Sequence, residues 1–187
     1  MENTQSNQQD RKLETVVLGG GCFWCLEAVF QRVRGVQQVI SGYMGGHTAN
    51  PDYRAVCGGD TGHAEIVQIT FDEREVSFDD LLDVFFTIHD PTTPNRQGND
   101  VGSQYRSAIF YHDATQEQQA RAKVAALTAA HAYSTPIVTQ IVPLQTFYPA
   151  EGYHQDYFNR NPHQPYCMAV VGPKVGKLLK YHADLSQ

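Results

Sequence analysis

The chain has 187 residues, 41% of them hydrophobic, which is enough for one compact domain with a proper core and too short for two. Its formal net charge is −6 and its 14 Lys and Arg are scattered without a basic run, which argues against nucleic acid as the main partner. No stretch approaches the roughly 20 apolar residues that span a bilayer, so no membrane segment is expected.

Met1 to Arg11 is polar, rich in Gln and Asn, and lacks an apolar run, so residues 1–12 read as a disordered tail rather than a signal peptide, followed by a single domain over 13–187. A reducing, cytoplasmic setting is the default expectation. A strand at Thr15 to Gly19 leads through glycines into a helix from about Cys22 to Arg32, and a strand follows the Gly35 turn from Val36 to Tyr43. Eight Gly, Asn and Pro residues between Gly42 and Gly62 mark a long loop of the kind that builds a site. Ala64 to Phe71 alternates as a strand. Ser77 caps a helix whose Leu81, Leu82, Phe85, Phe86 and Ile88 form an apolar stripe. His89 to Ser103 reads as a second functional loop, Gln104 to Tyr111 as a strand, and Asp113 as the cap of a helix ending near His131. A strand at Ile137 to Val142, a short helix near Tyr153 to Asn159, and a last helix opened by Pro173 and running to Lys180 complete the chain. Strands and helices interleave without a regular βα rhythm, which predicts an α+β fold: a mixed sheet with helices on one face.

Four cysteines, Cys22, Cys25, Cys57 and Cys167, are present. A disulfide framework does not suit a chain of this size without a secretory signal, and zinc needs tightly spaced ligands where only Cys22 and Cys25 form a close pair. Redox chemistry is the better reading, with no metal. Cys22 follows three glycines at a predicted helix start, where free backbone N–H groups favour a thiolate. Trp24 and Phe23 beside it suggest a small apolar pocket. Cys25 lies one turn on, and Cys-x-x-Cys is compatible with a thioredoxin-type pair, half a metal site, or accident. Glu65, where a Gly-rich loop meets a strand, is either an ordinary solvent-facing residue or, if it faces an apolar pocket, a general acid with a raised pKa. Tyr53 and Tyr105 sit in or beside glycine-punctuated loops, and Asp100 is a turn residue or a site residue.

These residues converge on a known family. The chain resembles the type A peptide methionine sulfoxide reductases through Gly21-Cys22-Phe23-Trp24, Gly42-Tyr43-x-Gly-Gly, Asn50-Pro51-x-Tyr53, the run from Val56-Cys57 to Ala64-Glu65, His89-Asp90-Pro91-Thr92, Gln97-Gly98-Asn99-Asp100, Gln104-Tyr105-Arg106-Ser107, and the run from Phe147-Tyr148 to Tyr157. The resemblance covers roughly residues 13 to 180. It implies a ferredoxin-like two-layer sandwich and reduction of methionine S-sulfoxide, free or in proteins. It makes Cys22 the nucleophile, Glu65 the acid that protonates the sulfoxide oxygen, Tyr53 and Tyr105 hydrogen-bond donors to that oxygen, Phe23 and Trp24 the cradle of the methyl group, and Asp100 a residue that orders the site. The resulting sulfenic acid must condense with a second thiol, and the disulfide is reopened by thioredoxin, with no bound cofactor. Cys167, on the C-terminal segment, falls where many members carry the resolving cysteine. Cys25 stands where most members have glycine and is the other candidate. Cys57 matches a position read as structural. The competing reading is a thioredoxin-like disulfide oxidoreductase built on Cys22-x-x-Cys25.

Overall fold

The computed structural model describes residues 12–187, so the tail expected at residues 1–12 lies, except for Lys12, outside the described residues. In chain order the elements are β1 (Leu13–Gly19), α1 (Phe23–Phe30), β2 (Val36–Met44), α2 (Tyr53–Cys57), β3 (Ala64–Asp72), α3 (Phe78–Ile88), β4 (Arg96–Gln97), β5 (Asp100–Val101), β6 (Ala108–Tyr111), α4 (Ala114–Ala129), β7 (Gln140–Pro143), β8 (Tyr148–Pro149), α5 (Tyr157–Arg160) and α6 (Gly172–Tyr181). Six strands form one sheet in the order β7-β6-β1-β3-β2-β8, and every neighbouring pair is antiparallel except β6 and β7. The inner four, β6-β1-β3-β2, with α1 joining β1 to β2 and α3 lying between β3 and β6, make the split βαββαβ of a ferredoxin-like sandwich. The expected α+β class and mixed sheet are therefore present.

Strand alternation decides which residues face the helices. Val16, Leu18, Tyr43, Val67, Ile69 and Phe71 join the main core with α1, α3 and α6, while Val17, Met44, Ala64, Ile66 and Phe110 form a smaller cluster on the other face, partly covered by Phe147. Glu65 lies between Ala64 and Ile66, so the same alternation turns it toward the helices. β2 and β8 approach closely at Gly42, where a Cβ would sit 2.6 Å from the Phe147 ring and from the Tyr148 carbonyl oxygen. α3 begins in a full capping box: the Ser77 hydroxyl accepts from the Asp80 N–H, and the Asp80 carboxylate accepts from the Ser77 N–H.

Several local expectations shift. The long loop after β2 contains α2, which Asp52 caps by accepting the Ala55 N–H at 2.7 Å. Gln104 and Tyr105 belong to a 3-10 turn rather than to the strand, which starts at Ala108. β7 starts at Gln140 rather than at Ile137. Between Tyr153 and Asn159 stand a 3-10 turn and the start of α5, broken by Asp156 in a left-handed conformation with φ +56°. Cys167–Val171 forms a π-helical turn running directly into α6, so the C-terminal segment that carries Cys167 is built into a packed helix end. No helix among the described residues is long and apolar enough to cross a membrane.

Candidate active site

Cys22 is the N-cap residue of α1, in an extended conformation with no side-chain cap bond. The turn into it depends on Gly21, which has φ +89° and whose N–H reaches the Tyr105 carbonyl at 3.2 Å; a Cβ there would press on Gln97 at 3.0 Å. The first free N–H of the helix, from Phe23, donates to Glu65 Oε1 at 3.1 Å, so a carboxyl from β3 caps α1 across the fold. The other oxygen of Glu65, Oε2, is buried and has no hydrogen-bond partner among the described residues. Burial, reinforced by the charges of Asp100 and Cys25 and opposed by the Phe23 N–H, pushes the Glu65 carboxyl up to about 8.

The thiols of Cys22, at the helix cap, and Cys25, in the first turn, lie close enough to perturb each other. Cys22 is 9% exposed and Cys25 fully buried. Burial, the neighbouring Cys25 thiol and the charge of Glu65 push the Cys22 thiol well up; the Trp24 N–H works the other way and does not compensate. The helix-start argument for a resting Cys22 thiolate thus fails on desolvation. The neighbouring Cys22 thiol pulls Cys25 down against burial, and the charge of Lys174 and the Tyr166 hydroxyl add to it. The Tyr166 hydroxyl also donates to Asp100 Oδ2 at 2.6 Å, which ties the β4–β5 hairpin to the C-terminal segment beside the thiols.

Tyr53 and Tyr105, both half-buried, flank this group. Burial first, then the charge of Glu65 and that of Cys22, holds both phenols well above the usual tyrosine range, so each remains a hydroxyl donor. Cys57, exposed on α2, adds to the upward push on Tyr53. Phe23 is fully buried, its ring on Tyr43, Tyr53 and His154. Trp24 stays partly exposed. Its indole stacks on Tyr157 at 3.8 Å with planes 6° apart, meets Tyr166 edge-on at 5.9 Å, and donates Nε1–H to His154 Nδ1 at 3.0 Å. Cys167 is fully buried and feels the charge of Cys25.

Residue-by-residue reading of the sequence missed His154, Tyr157, Tyr166 and Lys174. The first two lie inside the motif that carried the resemblance and Tyr166 adjoins Cys167, but nothing local marks Lys174. A cavity of about 700 Å³ opens on the far side of Cys22, between the His89–Asp100 loop and α6. Glu14, His112 and Asp113 have metal-ligand spacing, yet they sit at the opposite end of β1 and pair with one another, His112 Nε2 lying 3.0 Å from Glu14 and 3.3 Å from Asp113.

A buried thiol pair facing a protonated carboxyl and two phenols defines a thiol-dependent oxidoreductase, here on a ferredoxin-like frame. The profile of the peptide methionine sulfoxide reductases matches residues 14–186, and the chain belongs to that family. It is 56% identical over 182 residues to the peptide methionine sulfoxide reductase MsrA of Deinococcus radiodurans, covering 97% of this chain and 88% of that one. Among solved structures it is similar to the methionine sulfoxide reductase A of Corynebacterium diphtheriae, with 39% identity, a TM-score of 0.74, and 86% and 81% of the two chains covered. It is similar also to reduced Mxr1 of Saccharomyces cerevisiae, with 34% identity, a TM-score of 0.75, and 85% and 91% covered. That yeast protein has also been solved in complex with Trx2. Membership of this family disfavours the thioredoxin-like disulfide oxidoreductase reading.

Proposed function

We propose that the chain reduces methionine S-sulfoxide to methionine with Cys22 as nucleophile and Glu65 as acid, and that Cys25 closes the first disulfide. The observation that carries this is the buried carboxyl of Glu65, protonated at neutral pH, bound on one oxygen by the Phe23 N–H and unpartnered on the other, beside Cys22. A sulfoxide oxygen seated there would accept the Glu65 proton, with the Tyr53 and Tyr105 hydroxyls bonding to it as negative charge develops. Trp24 would form the open wall of the methyl slot and Phe23 its floor, with Asp100 ordering the site through Tyr166. The Cys22 sulfur attacks the sulfoxide sulfur, the oxygen takes the Glu65 proton and passes to Cys22, methionine leaves, and the thiol proton given up by Cys22 restores the Glu65 acid, which leaves Cys22 as a sulfenic acid.

Cys25 lies one helical turn from Cys22, close enough for each thiol to perturb the other, which favours it as the thiol that displaces water from the sulfenic acid. Cys167, which the family resemblance favours for that role, feels the charge of Cys25 and is built into the buried turn before α6. The protons and electrons of each step come from Cys22, Cys25 and Glu65, with no bound cofactor. Reopening of the disulfide falls to thioredoxin, a reading supported by the complex of the yeast relative with Trx2, in a reducing cytoplasm. The substrate is free or protein-bound sulfoxide.

The test is peptide mapping after one turnover without reductant. A Cys22–Cys25 disulfide is expected, and a Cys22–Cys167 disulfide as the first product overturns the assignment of Cys25. Cys22→Ser should release no methionine; release by that variant removes Cys22 as nucleophile.

A further inference from the structure

α6 packs on α1, and its first turns bring a cation toward the thiols. Lys174, half-buried, lines the same cavity as Cys22, and its Nζ lies 4.0 Å from the position a Cβ would take at Gly21, the residue before Cys22. Among the described residues Lys174 makes no ion pair or hydrogen bond. The other charged or titratable groups acting on the pair are acidic or neutral: Glu65 from β3, Asp100 from β5, and Tyr166 and Cys167 from the C-terminal segment. Buried His89, at the end of α3, shares the cavity wall and is held uncharged at neutral pH by burial. Lys177, one turn further along α6, lines the same cavity, but among the described residues Lys174 is the cation placed beside the turn that carries Cys22.

We propose that Lys174 is a positioning residue for the thiol pair: its ammonium balances the negative charge that Cys25 carries when it acts on the oxidised Cys22. This rests on the reading of Cys25 as the partner thiol. In the step concerned, the Cys25 sulfur forms a bond to the Cys22 sulfur, the S–O bond of the sulfenic acid breaks, and the hydroxide leaves with one proton as water. The two thiols together supply two electrons and the disulfide holds the oxidised state until thioredoxin reduces it. The cavity that Lys174 lines includes Cys22 but not Glu65, Tyr53 or Tyr105, which places the ammonium on the thiol side of the site.

The experiment is a thiolate titration by ultraviolet absorbance on the reduced protein, paired with the single-turnover rate of disulfide formation across pH. Lys174→Gln is expected to raise the first thiolate midpoint by about one pH unit and slow disulfide formation at pH 7 about tenfold, with Lys174→Arg restoring both to within about threefold. In a Cys25→Ser background Lys174→Gln should move the remaining Cys22 titration by less than it moves the first midpoint of the intact pair. An unchanged midpoint in Lys174→Gln overturns the proposal, as does an Arg variant as impaired as the Gln one or an equal shift in the Cys25→Ser background. The disulfide map tests the role of Cys25 separately: absence of a Cys22–Cys25 bond sinks that reading, whatever the titration gives.

Discussion

At neutral pH Glu65 holds its proton because the main core surrounds it, and the fold bears a cost for that. Below pH 4.5 the carboxyl is protonated in folded and unfolded chains alike and costs nothing. Between 4.5 and about 8 the unfolded chain releases the proton while the folded one keeps it, so stability falls, by an amount on the order of 4 kcal/mol at pH 8. Glu65→Gln removes this cost and the acid together. It should melt higher than the wild type at pH 8 and alike at pH 4 by calorimetry, while reducing sulfoxide about 10²-fold more slowly and without the fall in rate above pH 8. Equal melting at both pH values, or unchanged rates, would contradict a protonated buried acid. From the sequence Glu65 was legible only as a choice between two faces of a strand. What decides is the register of β3 against β2, which pairs Glu65 with the fully buried Tyr43 and turns its side chain to the helices. The pairing of Cys22 with Cys25 was equally open, because a three-residue spacing allows a thiol–thiol contact without requiring it.

The elements that carry the aromatic wall are held by one buried carboxylate on α1. Glu27 accepts from the Ser41 hydroxyl of β2 at 2.8 Å and from the Asp156 N–H, and thereby docks the segment that presents His154 and Tyr157 to Trp24. Gln155 strengthens the same junction, donating to the Ser41 carbonyl at 2.9 Å and accepting the Ser41 N–H at 3.0 Å. Glu27→Ala leaves a buried hydroxyl and N–H unpaired and should lower stability by about 2–3 kcal/mol in urea unfolding, with KM for sulfoxide raised as Trp24 loses its clamp. A loss under about 0.5 kcal/mol would show that the segment docks without Glu27. Helix α3 was readable in advance from Ser77 and its apolar stripe, since both signals are local. The segment 150–160 was not, since its turns are set by bonds to Glu27 and Ser41, more than a hundred residues earlier.

Across the whole molecule, His89 ties the two layers together. Its Nδ1 bonds the Phe85 carbonyl at the end of α3, and its Nε2 meets the Ser107 hydroxyl at 2.8 Å, which in turn meets Thr139 at 2.7 Å. Burial holds the imidazole down to about 4. Between pH 6.5 and 4 the unfolded chain takes up a proton that the folded one refuses, so stability should drop by an amount on the order of 3 kcal/mol over that range. His89→Gln should flatten this part of the stability–pH curve, read by denaturant midpoints; an unchanged slope would place the acid sensitivity elsewhere. The sequence by itself determined the α+β class, most strands, the caps at Ser77 and Asp113, the family, and the candidate residues of the sulfoxide site, because periodicity, capping and motif order are carried by neighbours in the chain. Only the tertiary structure decided that Cys22 and Cys25 are both buried, that Cys167 is locked in a packed turn, that Glu65 is buried, and that Lys174 shares a cavity with Cys22. Each of these depends on burial and charge contributed by segments distant in sequence, and desolvation is a property of the packed interior that no local pattern encodes.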